Sequence, residues 1–226
     1  DAENFRKKGA NAFCITNGFD VDASTTLSMT EENSKTLPLS NSTTKFTLSY
    51  IGVLEQLRNP EILWETLNDL VEENADFKND FELKFVGRLD DKILQKIESS
   101  ALKNNLTNLG YQTHDVALKH MQDSSVLLMT NFPQESSKGI IPGKIFEYLA
   151  TGKTILSFGP KDADVEKILN ETKAGKHFGY DEKENLKKFI LESYQNWKSG
   201  TLNQNAENIE QFSRKNLTQK LVDLMN

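Results

Sequence analysis

Residues 139–156, GIIPGKIFEYLATGKTIL, decide how the rest of the chain is read. Gly139 and Pro142-Gly143 mark a turn, the run from about Gly143 to Thr151 has the spacing of a short amphipathic helix, Gly152 breaks it, and KTILSFGP follows as a strand. Pro142 suits the first turn of a helix, where its missing N–H would have no intrahelical partner. Gly143 has no side chain, so a ligand can come close to the backbone. Free amides and the positive end of the helix dipole make such a terminus an anion site, and Lys144 adds a full charge. Glu147 lies one turn further in, about 5.4 Å along the axis and on the same face as Gly143. An ionised carboxylate only accepts hydrogen bonds, so its natural small-molecule partner is a pair of vicinal hydroxyls. A pyrophosphate at the helix end with a ribose one turn along fits that spacing. Ile145, Phe146, Leu149 and Ala150 form the apolar face that seats the helix. The plainer alternative is that Lys144 and Glu147 make a solvated i,i+3 ion pair on an ordinary crossover helix.

Outward from this stretch the rhythm is regular. KFTLSYIGV is a strand ending at Gly52. NPEILWETLNDLVEE is a helix with Asn59 as N-cap, Pro60 in its first turn, and Ile62, Leu63, Leu67, Leu70 and Val71 on one face. FELKFVGR is a second strand ending at a glycine, followed by the helix DKILQKIESSAL. LTNLGY is a short strand, THDVALKHMQDS a helix capped by Thr113, and SVLLMTNF a buried strand. Beyond the opening stretch come a helix, DADVEKILNET, capped by Asp162, a last strand, GKHFGY, and two closing helices, the second being NAENIEQFSRKNLTQKLVDLM. Strands alternating with helices of about ten to fifteen residues predict βαβ units with right-handed crossovers. The expected fold class is α/β, a Rossmann-like doubly wound, mostly parallel sheet with helices on both faces. Ligands of such sheets sit at the carboxyl ends of the strands, near a switch in strand order. Gly52, Arg58, Tyr111 and the segment from Gly139 to Glu147 all follow strands.

Before this array the chain reads differently. Residues 1–22 look like a helix tail, a short strand (Ala12–Thr16) and a turn at Asn17-Gly18, and residues 23–45 are a Ser/Thr-rich linker or exposed excursion. The sheet domain is expected over residues 46–226.

The totals narrow the function classes. The 226 residues are enough for one large domain or two small ones, and they carry 37% hydrophobic and 27% charged residues. No apolar run is long enough to span a membrane, and the N-terminus does not read as a signal peptide. The formal net charge of −6 comes with lysines interspersed among acids, which argues against a nucleic-acid partner. Cys14 stands alone, so neither an internal disulfide nor a thiolate zinc site is expected. His114, His120 and His177 have no metal-ligand spacing.

The succession ITNGFD (15–20), YIGVLEQLRNPEIL, FVGR, LGYQTHDVALKHMQDSSVLLM and PGKIFEYLATGKTIL resembles the C-terminal, donor-binding half of a GT-B glycosyltransferase of the large group 1 family. The likeness covers essentially the whole chain, and it rests on the order of five motifs, not on any one. It implies a domain that binds a UDP-, GDP- or ADP-sugar, taken from an enzyme that moves the sugar to a glycan or lipid-linked acceptor. It also implies that most of the acceptor domain is missing, with a remnant at residues 1–22, and that the piece alone is inactive. The subgroup it points to is associated with polysaccharide synthesis. The implied location is cytoplasmic, with peripheral association at the inner face of the cell membrane possible for the full-length protein. No cofactor or metal is expected, because positive side chains already face the diphosphate.

Residue by residue, Glu147 matches the family's second glutamate, which takes the ribose hydroxyls. Arg58 matches a basic phosphate-contacting position and Gly52 the glycine that lets the backbone approach it. Tyr111 falls where a loop lines the nucleobase. Gly139, Pro142, Gly143, Lys144 and Ile145 complete the expected nucleotide and donor-binding set, with the catalytic residues left open. Three positions depart from the pattern. Gly139 stands where the first glutamate of the pair belongs, with Glu135 nearby but out of register. Val53 replaces an arginine, and Asn59 replaces a lysine. A GT-B nucleotide-sugar epimerase, drawing on His114 and His177, and a non-catalytic flavodoxin-like or receiver-like domain are the alternatives.

Overall fold

The computed structural model describes residues 7, 15–19, 45–203 and 206–225. Its centre is a six-stranded sheet in which every neighbouring pair is parallel: β1 (Phe46–Ile51), β2 (Phe81–Val86), β3 (Leu106–Asn108), β4 (Val126–Thr130), β5 (Thr154–Phe158) and β6 (Gly175–Phe178). The strand order is β3-β2-β1-β4-β5-β6. Order reverses between β1 and β4, so the crevice of this doubly wound sheet opens beyond the carboxyl ends of those two strands. A flavodoxin-like sheet would run 2-1-3-4-5, so that alternative is set aside.

The central strands β1 and β4 are buried along their whole length and so on both faces, as a parallel sheet covered by helices requires, while the edge strand β3 is not. On one face lie α1 (Glu61–Glu73), α2 (Ala75–Asp80), α3 (Asp91–Glu98) and α7 (Lys183–Lys198). Phe77 stacks on Phe81 at 4.8 Å, Phe46 meets both edge-on or tilted, and Tyr194 meets Phe77 edge-on at 5.1 Å and Phe46 tilted at 5.7 Å. The other face carries α4 (His114–Gln122), α5 (Lys144–Ala150) and α6 (Asp164–Thr172), with Phe212 packed on Phe146 at 5.9 Å.

Several helix starts differ from the sequence expectation. Asn59 does not cap α1. Pro60 takes that place, and the Asn59 side chain accepts instead from the Trp64 indole N–H at 2.7 Å. A buried Trp64 needs a partner for its N–H, and Asn59 is the group in reach. Ile62 is only half-buried, its expected place on the core face being filled by Trp64. Ala163 precedes α6, and Asp162 sits one residue earlier with a left-handed φ of 60°. Thr113 does precede α4, but its side chain makes no capping hydrogen bond.

The expected closing helix is two elements. A 3-10 turn, Ile209–Phe212, is followed after Ser213 by α8 (Arg214–Met225). Phe19 joins here: its N–H donates to Phe212 O at 3.1 Å and its carbonyl accepts from Arg214 N at 2.8 Å. At the Asn17-Gly18 turn, the Gly18 N–H donates to Asn17 Oδ1. The expected strand at 12–16 lies mostly outside the described residues, as does the linker at 23–44, and residues 15 and 16 have no strand pairing. Among the described residues no helix is long and apolar enough to cross a membrane.

Candidate functional site

Two glycines let the strand ends approach each other. Gly52 and Gly87, directly after β1 and β2, have φ of 121° and 123°, a conformation that side-chain-bearing residues rarely adopt. A Cβ on Gly87 would stand 2.1 Å from the Gly52 carbonyl oxygen, so only glycine allows this contact. At Gly52, chain neighbours aside, the only heavy atom among the described residues within 4 Å of an added Cβ would be Lys144 Nζ, at 4.0 Å. Gly52 therefore faces the start of α5 directly, across the β1/β4 switch.

Lys144 reaches back over β1. Its Nζ stands 4.0 Å from the Tyr50 ring centroid and 6.0 Å from that of Tyr148, and donates to Ile51 O at 3.5 Å. Burial pulls its pKa below the ordinary lysine range, and Arg58 acts in the same direction, while Tyr50 and Glu147 oppose the shift. No carboxylate among the described residues pairs with it. The solvated Lys144–Glu147 ion pair considered from sequence does not form, and Glu147 instead lies exposed on the outer face of α5.

Arg58 ends the short 3-10 turn Gln56–Arg58 after β1. Its Nη2 donates to Val53 O at 3.1 Å and lies 3.5 Å from Glu55 Oε2, and its guanidinium stands 5.4 Å from the Phe132 ring centroid. Arg58 Nε is buried with no hydrogen-bond partner. Tyr50 Oη donates to the same Val53 carbonyl at 2.9 Å, so Tyr50 and Arg58 together fix the turn that carries Gly52. Arg58 also lowers the Lys144 pKa, so the two cations, carried by different elements, act on each other at this end of the sheet.

The loop between β4 and α5 is held from inside. Asn131 Nδ2 donates to Ile140 O at 2.9 Å, and Tyr180 Oη donates to Asn131 O at 2.6 Å. Burial raises the pKa of the Tyr148 and Tyr180 phenols, so both remain protonated donors. Helix α5 begins at Lys144, with Gly143 as its cap and Pro142 one step before. Among the described residues, the N–H groups of Gly143 and Lys144 have no hydrogen-bond acceptor.

Ile145 takes the seating role expected of it, which leaves its side chain turned away from the donor-binding set in which the resemblance also places it. Its side chain is fully buried in the core and its N–H donates to Pro142 O at 3.0 Å, so it seats the helix and offers nothing to a ligand. Tyr148, Phe146 and Leu149 share that buried face, while Ala150 is only half-buried. Tyr111 is 87% exposed after β3, and Gly110 is tied to Gly87 by a 2.7 Å backbone hydrogen bond. Glu135, four residues before Gly139 in sequence, pairs through Oε2 with Lys138 Nζ at 2.7 Å. Gly139 is exposed. Tyr50, Phe132, Asn131 and Tyr180 were not legible as site residues. Each lies within a strand or loop whose local pattern reports burial and not its neighbours.

No protein-family model matches the sequence, and no curated protein matches it. Solved structures match its fold. HepE from Anabaena, in complex with UDP and glucose, is 18% identical with a TM-score of 0.67, over 99% of this chain and 60% of that one. A glycosyltransferase from Rickettsia africae is 16% identical with a TM-score of 0.61, over 93% and 55%. A Listeria monocytogenes protein assigned as a UDP-N-acetylglucosamine 2-epimerase is 17% identical with a TM-score of 0.58, over 99% and 56%. The chain spans between 38% and 60% of the length of the solved structures it resembles. Its fold is that of one half of a GT-B protein.

Proposed function

We propose that the chain is the donor-binding half of a glycosyltransferase that uses a nucleotide-diphosphate sugar. The observation that carries this reading is Lys144 standing over Gly52 at the switch point of the sheet, with Arg58 in the turn just after β1 acting electrostatically on it and no carboxylate among the described residues paired with Lys144. Arginine offers a planar donor fork and lysine a compact point charge, a pairing suited to a diphosphate. Glu147 then accepts from the ribose hydroxyls one turn along α5, and Tyr111 offers an exposed ring for the base to stack on. In the intact enzyme the sugar passes to a hydroxyl of a glycan or lipid-linked acceptor, in polysaccharide synthesis on the cytoplasmic side of the membrane. The cations and helix-end amides stabilise the departing diphosphate, which requires no metal in this reading.

Transfer requires both halves of a GT-B cleft, because orientation and water exclusion come from closure over the donor. The chain by itself is therefore expected to bind nucleotide without turning over. The epimerase alternative would need an available histidine in the cleft. His177 is buried, with Nδ1 bonded to Ser157 Oγ at 3.0 Å and Nε2 to Pro160 O at 3.1 Å, so it has no nitrogen to offer. Calorimetric titration with UDP, GDP, ADP and the free nucleosides tests the proposal. A diphosphate bound much more tightly than its nucleoside supports it, and no binding of any diphosphate overturns it.

A further inference from the structure

A cavity of about 560 Å³ lies at the other end of the sheet from Gly52. Its lining residues directly precede β2, β4 and β5 or belong to the end of α7 and the turn after it. The residues of the diphosphate site follow strands, so the two places are separated by the length of the sheet. A volume of this size falls among small-molecule sites, roughly 300–1,000 Å³.

The lining carries donors that have nothing to donate to among the described residues. Lys153 Nζ makes no hydrogen bond or ion pair there. Lys153 is half-buried, and burial lowers its pKa, with only Asp123 opposing. Ser125 is buried, and its Oγ accepts from Thr47 N at 3.1 Å, which leaves its own O–H uncommitted. Asn203 Oδ1 accepts from Thr154 N at 2.6 Å and from Thr154 Oγ1 at 2.7 Å, which fixes the side chain and leaves its amino group without an acceptor. The Trp197 indole N–H also lacks one, while its ring is held by stacking on Tyr194. Against these stands one lining carboxylate, Asp80, which accepts from Tyr194 Oη at 2.6 Å and lies 3.9 Å from Lys198 Nζ.

We propose that this cavity binds a small organic phosphate monoester through its phosphate group. Terminal phosphate oxygens only accept, which complements an ammonium, a hydroxyl, an amide and an indole N–H. The cavity is larger than one ion needs, and the half-buried Trp197 offers a surface to the organic part. A lysine after a helix end can also serve the helix dipole, and Lys153 follows α5. That role does not call for the uncommitted donors of Ser125, Asn203 and Trp197 beside it.

Calorimetric titration of the full chain with ribose 5-phosphate, ribose and inorganic phosphate tests the proposal. The ester should bind more tightly than inorganic phosphate, and ribose should not bind measurably. K153M should weaken ester binding about tenfold or more, and W197F about three- to tenfold. In a nitrogen–proton correlation spectrum the Trp197 indole signal should shift as the ester saturates, while that of Trp64, bonded to Asn59, stays in place. A chain that does not bind the ester, or binds it no better than ribose or inorganic phosphate, overturns the inference. So does an ester that leaves the Trp197 signal unmoved, or one whose affinity K153M does not change.

Discussion

The ammonium of Lys144 stands 4.0 Å from the centroid of the Tyr50 ring, joining the start of α5 to the carboxyl end of β1. A desolvated cation over an aromatic face gains about 2 kcal/mol, which offsets part of the cost of burying it. The remaining cost shows as the lowered pKa of Lys144. A ligand bringing negative charge to Gly52 would relieve it.

Lys144→Met should therefore raise stability near neutral pH while weakening diphosphate binding. A lysine with a lowered folded pKa destabilises the fold fully below that pKa, and the penalty fades as pH rises toward the unfolded value. The stability gap between variant and parent should close at alkaline pH in chemical denaturation. A variant less stable than the parent at pH 7 would show that the lysine stabilises the fold.

Diphosphate affinity of the parent should fall as pH rises through the lowered pKa of Lys144, well before ordinary lysines titrate. Binding above that pKa should take up protons, seen as a buffer-dependent heat in calorimetry. A flat pH profile across this range would remove Lys144 from the phosphate site.

Arg58→Ala should cost diphosphates roughly tenfold or more and leave the free nucleoside nearly unaffected, since only phosphate oxygens engage the guanidinium. Parallel titrations with a nucleoside and its diphosphate separate the two. Equal losses would move Arg58 out of phosphate contact.

Glu147→Gln keeps the size and loses the charge on an exposed face of α5, so the fold should be unchanged. Affinity for a ribonucleotide should drop about tenfold, the range of one charge-assisted hydrogen bond, and the 2′-deoxy analogue should bind parent and variant more alike. If the ribo- and deoxyribonucleotide lose equally, the carboxylate does not meet the diol.

His177 should make the fold acid-sensitive. Burial lowers its pKa, so the unfolded chain takes up a proton near the ordinary histidine value of about 6.5 while the folded chain resists it. Stability should decline as pH falls from about 6.5 toward the lowered folded pKa, and His177→Gln should flatten that limb. Thermal melts between pH 7 and pH 5 measure it, and an equal slope in both proteins would exclude His177 as the source.

The alternation of strands and helices, the glycines closing β1 and β2, and the amphipathic α5 with Glu147 exposed are written in local pattern. Side-chain period reports which face is buried, and glycine reports where the backbone turns sharply. That information was enough for a parallel α/β sheet and for a candidate site at its strand ends. It could not show that Lys144 would lie on Tyr50 instead of pairing with Glu147, because that choice depends on β1 and β4 being neighbours. Nor could it show that Asn59 would serve Trp64 instead of capping α1. Strand order sets which loops meet, and it results from packing of the whole sheet, so these pairings were settled only in three dimensions.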